Sequence, residues 1–306
     1  MSLPTSGLIT MGMVNTALSN SSTASITLND SAVRSLFNKS SGLITLDDGH
    51  YAAIGTQNNP ASSVTALYNA GYRTDGVYYI NLPTVGSKPC YCLLNSSVGG
   101  GWVMILKATR GNTFQYDSSY WTSVNTLNAS DTTRNDGDAK FDAYNYYQGN
   151  EILALWPDIG TNGGSYGSTS YNCWNWYQNI SNVGYSNYTF LSLMNNTSRT
   201  FIQDATTWSG WGSGIFSTQP DVHFYGFNYY NDPGWARTRW GFGWNENGGG
   251  LFPNGDMGSD DVYGGIGLKS SSWGNGSNGY SAGDVITCCQ DSNGINRSAR
   301  VEIYIR

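Results

Sequence analysis

Short apolar runs, broken by clusters of Gly, Ser, Asn and Asp, set the pattern of this chain from end to end. Over the first forty-eight positions the pattern repeats. Ser6-Gly7-Leu8-Ile9-Thr10-Met11 returns as Ser41-Gly42-Leu43-Ile44-Thr45-Leu46, and Ile26-Thr27-Leu28-Asn29-Asp30 matches Ile44-Thr45-Leu46-Asp47-Asp48. The three Ile-Thr units lie 17 and 18 residues apart. Each reads as a short β-prone segment with too few apolar residues for a core of its own, so the module is expected to need a partner surface. Between them, Ser31 to Phe37 predicts one or two helical turns behind Asp30 as N-cap.

From His50 to Tyr72 the chain is transitional, with turn chemistry at Asn58 to Ser63 and a short helix expected over Ser63 to Asn69. Thr74-Asp75-Gly76 then turns into the run Val77-Tyr78-Tyr79-Ile80. After a connection over Pro83 to Pro89, Cys90 to Leu94 and Trp102 to Lys107 form two β-prone runs around Gly99-Gly100-Gly101, which predicts a hairpin. Gly160 to Tyr188 reads as a loop dense in aromatic rings, and Ser270 to Ser281 as a Ser/Gly/Asn-rich loop carrying Trp273 and Tyr280. Trp240 and Trp244, four positions apart on one strand face, read as core.

Composition sharpens this into a class. Charged residues are only 12% of the 306 positions while aromatics reach 14%, so the chain has large rings to bury and is not disordered. The fold expected is α+β, β-rich and loop-rich. A net charge of −6 leaves no basic footprint for nucleic acid. No apolar run reaches the length of a membrane span, so membrane insertion is not expected. The first cation is Arg34, which leaves the N-terminus without the basic region of a secretory signal; export by ordinary secretion is not expected. Five cysteines (Cys90, Cys92, Cys173, Cys288, Cys289) cannot all pair within the chain and lack zinc spacing, so reduced, mostly buried thiols are expected.

The stretch Arg237 to Leu268 concentrates the candidate chemistry. Asn245, Glu246, Asn247, Asn254, Asp256, Asp260 and Asp261 place seven oxygen-bearing side chains within 17 positions, interrupted by Gly248-Gly249-Gly250. Hard cations such as Ca²⁺ take about 6–8 such oxygens, and glycines let the backbone turn its carbonyls inward. Polar turns alone also account for these residue types. Tyr263, Trp273 and Tyr280 are the candidate ligand-contacting rings, because sugar C–H faces pack on aromatic faces. Catalysis is not expected. The two histidines, His50 and His223, sit in no nucleophile motif, and carboxylate pairs such as Glu151 with Asp158 have no fixed separation.

Two resemblances follow from these residues. The N-terminal repeat resembles short modules that begin many virion structural proteins of tailed phages, where they attach a distal domain to the particle. Asp75-Gly76-Val77-Tyr78, Tyr91-Cys92, Gly99-Gly100-Gly101-Trp102-Val103 and the closing Ala299 to Arg306 resemble a fibrinogen-like recognition domain. Gly248-Gly249-Gly250-Leu251-Phe252-Pro253 is similar to the corresponding run of its intelectin branch. The likeness covers about residues 70–306. It implies three segments: an attachment module over 1–50, a transition over 51–73 and a fibrinogen C-terminal-like domain over 74–306.

In intelectins a Ca²⁺ ion chelates vicinal sugar hydroxyls. The resemblance maps its ligands onto Asn245, Glu246 or Asn247, onto Asn254, and onto Asp260 or Asp261, with Asn228 or Asn231 contributing from the preceding strand. Two departures stand out: a neutral Asn254 follows Phe252-Pro253, and no sugar-contacting His precedes Gly248. The family's opening Cys is also missing, which fits folding in a reducing host cytoplasm before assembly. The function implied is a Ca²⁺-dependent adhesin exposed on a virion, in a tail fibre, baseplate or capsid fibre. It would be held to other virion proteins by residues 1–50, trimeric by analogy, and bind a host surface glycan. The alternative is a purely structural decoration or connector protein on a lectin-like fold.

Overall fold

The computed structural model describes residues 3, 7–37, 39–51, 54–94, 99–157, 175–196, 200–201, 222–230, 237–244, 262–269, 279–286 and 297–306. Among these residues thirteen strands form two antiparallel sheets with few helices, and the chain divides into two compact units, 1–103 and 104–306.

In the first unit the repeat does not make strands. Its Ile-Thr units are unpaired segments leading into turns or helices, and their apolar residues converge. Ile9, Val14, Ala17, Val33, Leu36, Phe37 and Ile44 are buried in one cluster, with Ile26, Leu28 and Leu46 packed against it. The expectation of a coreless module is therefore overturned. The reason is local chemistry. Thr27 donates N–H and hydroxyl to the carboxylate of Asp30, at 2.9 and 2.6 Å. Thr45 does the same to Asp48, at 2.7 and 3.1 Å. The duplicated Thr-x-x-Asp thus closes two like turns, which diverts the backbone from a ladder. In the first unit of the repeat, with Met13 in the Asp position, Thr10 instead accepts from Met13 N–H and caps helix α1 (Met11–Ala17). Asp30 precedes helix α2 (Ser31–Leu36) as expected, but its side chain turns back to Thr27 and makes no cap bond.

Helix α3 (Val64–Asn69) follows, capped by Ser63. Strands β1 (Gly76–Leu82) and β2 (Gly86–Leu93) pair along their length, and β2 meets the start of β3 (Trp102–Ala108) at Cys92↔Val103 and Leu93↔Trp102. The predicted hairpin is present. Pro89 lies inside β2, opposite Tyr79, rather than in the connection. It fits there because the β3 pairing is confined to Cys92 and Leu93, so its missing N–H interrupts no second ladder. Cys90 and Cys92 are buried, and burial raises the Cys92 thiol.

In the second unit, β13 (Val301–Ile305) runs between β3 and β5 (Glu151–Leu155), while β4 (Ala139–Lys140) pairs with β3 and β6 (Asn175–Asn179) with β5. The loop expected over Gly160 to Tyr188 therefore contains a strand, recruited by the exposed edge of β5. The other sheet runs β12 (Arg297–Ser298), β11 (Gly279–Ile286), β10 (Val262–Lys269), β9 (Arg237–Trp244), β8 (Val222–Tyr230) and β7 (Thr200–Phe201). Gly279 to Ser281, expected in a loop, open β11.

Two registered rows organise this second sheet. Gly226, Gly241, Gly265 and Gly283 stand opposite one another across β8 to β11. A Cβ on Gly241 would lie 2.1 Å from the Gly264 carbonyl oxygen, and one on Gly265 2.3 Å from that of Trp240. Gly265 and Gly283 also hold φ of 128° and 134°, which side chains disfavour. The adjacent row, Phe227, Trp240, Ile266 and Ala282, is fully buried. From it an aromatic chain leads through the unit. Phe227 stacks on Trp240 at 5.8 Å, Trp240 meets Phe190 at 6.5 Å, Phe190 meets Tyr144 at 5.2 Å, and Tyr144 meets Trp121 at 6.5 Å. Phe190 opens helix α5 (Phe190–Asn195), and Tyr144 lies in helix α4 (Asp142–Tyr146).

Several charges are inside. Glu302 accepts from Arg134, Arg300 and Tyr304. Lys140 is fully buried; its Nζ donates to the carbonyls of Tyr120 and Ser123 at 2.7 and 2.5 Å and lies 4.2 Å from the Tyr144 ring centre. Burial pulls its pKa down to about 8.

Two tests follow from this architecture. Gly241→Ala and Gly265→Ala should each lower unfolding free energy by about 2–4 kcal/mol, the cost of overpacking, with backbone strain added at Gly265. Gly111→Ala, where a Cβ meets nothing within 4 Å, should change it by less than about 0.5 kcal/mol; urea midpoints give the comparison. For Lys140, the folded chain releases its proton near 8 while the unfolded chain holds it to about 10.5. The folded state binds fewer protons in that window, so stability should rise with pH there, by at most about 1.4 kcal/mol per unit. Lys140→Met should remove that slope; an unchanged slope in the variant would assign it to other groups.

Candidate functional site

The register of the second sheet decides where its connections are anchored. Trp244 pairs with Val262, and Val262 with Ile286, so these residues and Val222 share one end of the sheet. Arg237, Lys269, Gly279 and Tyr230 share the other. Residues 245–261 thus form one connection, closed at its base by the Trp244↔Val262 pair. All seven oxygen-bearing candidates (Asn245, Glu246, Asn247, Asn254, Asp256, Asp260 and Asp261) belong to it, and all lie outside the described residues.

The aromatic candidates divide between the two ends. Tyr263 sits one residue into β10 at the 245–261 end, opposite Gly243 and Val285; its side chain lies outside the description. Trp273, also outside it, belongs to the connection 270–278, which is anchored by Lys269↔Gly279. Seven strand steps separate the two anchors along β10, about 23 Å at ~3.3 Å per residue. Tyr280 is half-buried at that far end, opposite Leu268 and on the same face as the buried Ala282. The sheet therefore brings Tyr263 to the base of the oxygen-rich connection and places Tyr280 away from it.

Asn228 is fully engaged in the fold. It is buried with a φ of 51°, a conformation that Asn tolerates better than most side chains. Its amide donates to the carbonyls of Leu193 and Asn196, at 3.0 and 2.8 Å, and its Oδ1 accepts from Arg239 at 3.1 Å. The ligand role implied by resemblance is thus not open to this side chain as it stands. Asn231 lies outside the described residues. Trp240 is core, as its spacing predicts, while the side chain of Trp244 is not described.

Arg239 connects Asn228 to a cluster that the sequence did not single out. Its Nε donates to the Tyr116 carbonyl at 2.9 Å, and its guanidinium lies 4.3 Å over the Tyr116 ring. Next to Tyr116, Asp117 pairs with Lys269 and lies 3.9 Å from Arg237. These groups gather at the Arg237–Lys269 end from positions more than a hundred residues apart, a separation that no local motif signals.

A second missed feature is the cage around Lys107. Its buried Nζ donates to Asp131 Oδ2 at 2.8 Å, to the Thr133 carbonyl at 2.9 Å, and to Asn135 Oδ1. Asp131-x-Thr133-x-Asn135 alternates oxygen donors as a cation loop does, and here the cation is an ammonium from β3. The hydrogen bond from Lys107 holds the Asp131 carboxyl well below the usual carboxylate range. Glu151, one of the carboxylates weighed for hydrolysis, accepts from Arg306 and Tyr177. Burial pushes its pKa up, but those two partners together outweigh it and leave the carboxyl below its ordinary value. Its companion Asp158, and the side chains of His50 and His223, lie outside the description. Among the described residues no group of three or more His, Cys, Asp or Glu side chains is placed to hold a metal ion. Among them, too, no helix is long and apolar enough to cross a membrane.

No protein-family model matches this chain, and no curated protein does. Among solved structures, the fibrinogen-like globe domain of human ANGPTL6 is similar at 20% identity with a TM-score of 0.24. That alignment covers 33% of this chain and 44% of the other, so the chain spans less than half the length of the structure it matches.

Proposed function

We propose that this chain is a virion-surface adhesin in which residues 74–306 form a fibrinogen/intelectin-like domain that binds a host surface glycan, and residues 1–50 attach it to the particle. Residues 245–261 hold Ca²⁺ in this reading, with Glu246, Asp256, Asp260 and Asp261 as the charged donors and Asn245, Asn247 and Asn254 as neutral ones. The observation that supports it is the Trp244↔Val262 pair, which makes residues 245–261 the connection between two adjacent paired strands. Four carboxylates, if clustered in that connection, would repel one another unless a cation neutralised some of them. Tyr263, whose backbone stands at the base of that connection, contacts the sugar in this reading, and Trp273 and Tyr280 form a separate contact region towards the other end of β10. The sugar is recognised without being cleaved, and the particle displays several copies as a trimer. A structural virion decoration or connector protein is the second reading, and the self-contained apolar cluster of residues 3–46 favours it.

Calcium separates the two readings. At a Ca²⁺ concentration one hundred times Kd, binding to the folded state alone stabilises it by about 2.7 kcal/mol. Thermal melting should therefore rise by several degrees in Ca²⁺ and fall back in EDTA. Glu246→Asn with Asp261→Ala should remove most of that rise and weaken Ca²⁺ in calorimetry. A melting temperature indifferent to EDTA would leave residues 245–261 as polar turns. Host-cell binding that survives chelation would overturn Ca²⁺-dependent adhesion even with an ion bound.

A further inference from the structure

Lys107 carries a primary amine into a site closed around it. Its side chain is 1% exposed, and its Nζ donates to Asp131 Oδ2 at 2.8 Å, to the Thr133 carbonyl at 2.9 Å and to Asn135 Oδ1. The partners are also bonded to one another. Asn135 Nδ2 donates to the same Asp131 Oδ2 at 3.0 Å, and the Thr133 hydroxyl donates to Asp131 Oδ1 at 2.7 Å. One carboxylate oxygen thus touches both the amine and the nitrogen of a carboxamide, while the oxygen of that carboxamide meets the amine. Solvation of a buried ammonium does not require this: Lys140 is held by the backbone carbonyls of Tyr120 and Ser123. The loop is fixed from behind as well. Arg134 donates to the buried Glu302 at 2.7 Å, and Arg300 donates to the Arg134 carbonyl.

An amine, a carboxamide and a shared proton acceptor are the parts needed for amide exchange. The carbonyl carbon of Asn135 lies about 1.2 Å beyond the oxygen that Lys107 already meets. The last torsion of an Asn side chain is soft, so a small turn of the carboxamide presents that carbon to the nitrogen. Groups held this way react with effective molarities of about 10⁵–10⁸ M, which is what a reaction too slow between free amines and amides requires. The exchange also turns a buried ammonium into a neutral amide. Asp131, 33% exposed, keeps its charge in contact with water afterwards.

We infer that Lys107 and Asn135 join as an intramolecular amide with loss of ammonia, and that Asp131 is the acid–base group of the step. Asp131 takes a proton from the Lys107 ammonium, and the electron pair so released forms the Nζ–Cγ bond to Asn135. The Cγ–Nδ2 bond then breaks as Asp131 passes that proton to Nδ2. Nζ gives up its second proton through Asp131, and the nitrogen departs as ammonium. Asp131 ends as it began, and no oxidant, metal or second substrate enters. The bond ties residues 131–135 covalently to β3 and depends on neither the glycan nor the Ca²⁺ reading.

Mass spectrometry of the folded, full-length chain is the test. The intact protein should be lighter than its sequence by one ammonia. Trypsin should no longer cut after Lys107, and the digest should contain a branched peptide joining Asn135–Lys140 to the fragment that ends at Arg110. Loss of ammonia also accompanies ring closure at any Asn, so the branched peptide decides. Asn135→Ala, at an exposed position, and Lys107→Arg, which keeps the cation, should each fold and restore the missing mass. Asp131→Ala retains both reacting groups and should slow bond formation by at least about a hundredfold. A folded natural chain of full mass that is cut after Lys107 overturns the amide. A branched peptide that forms as fast in Asp131→Ala overturns the acid–base role of Asp131.

Discussion

The second sheet depends on backbones that approach more closely than side chains allow. Gly226, Gly241, Gly265 and Gly283 make a row without Cβ atoms across four strands, and at Gly241 and Gly265 neighbouring carbonyls fill the space those atoms would occupy. Register follows from this. A one-residue slip in any strand would set a side chain against a carbonyl and break the row beside it. That second row, Phe227, Trp240, Ile266 and Ala282, supplies the buried face on which Phe190 and the aromatic chain to Trp121 are built. The same register closes residues 245–261 between Trp244 and Val262. A packing constraint in the sheet thus fixes where the connection of residues 245–261 begins and ends.

Charge is scarce in this chain, and four of the described charges lie inside it. Lys107, Lys140, Arg300 and Glu302 are all at least 95% buried, and each is held by specific oxygens or guanidinium groups. Buried charges of this kind contribute less to net stability than to selecting one arrangement, since any other leaves a desolvated ion unpaired. The Lys107 cage shows the effect locally. Its loop residues Asp131, Thr133 and Asn135 have the donor pattern of a cation site, and β3 supplies the cation as a covalently attached ammonium. The polar surface left over is rich in Asn, Ser, Thr and Tyr, groups that recognise by hydrogen bond and ring contact more than by field.

The N-terminal repeat shows how one short motif can be read two ways. By propensity, Ile-Thr-Leu is a strand. In the fold, the Thr hydroxyl and backbone N–H are claimed by an Asp three residues on, and the turn wins because no neighbouring strand competes for those groups. The apolar side chains that would have lined a sheet face instead meet at one cluster. A module that looked too small for a core builds one from residues spread over its whole length.

The sequence by itself determined the elements whose cause is local: α3 behind Ser63, the Cys90–Lys107 hairpin with its glycine connection, and Trp240 as core by its spacing; it also marked the place of α2, although Asp30 closes the turn before that helix and does not cap it. It also determined the low charge, the duplicated turn motif and the concentration of oxygen donors between 245 and 261. Only the tertiary structure decided that Asn228 is bound into the fold by Leu193, Asn196 and Arg239. It likewise set the anchors of the Trp273 and oxygen-rich connections at opposite ends of β10, and gathered Tyr116, Asp117, Arg237 and Lys269 at one place. Spacing along the chain encodes a cap, a turn or a strand face because those contacts reach only a few residues. Which distant segments meet is set by strand register, and register is chosen by packing across the whole sheet.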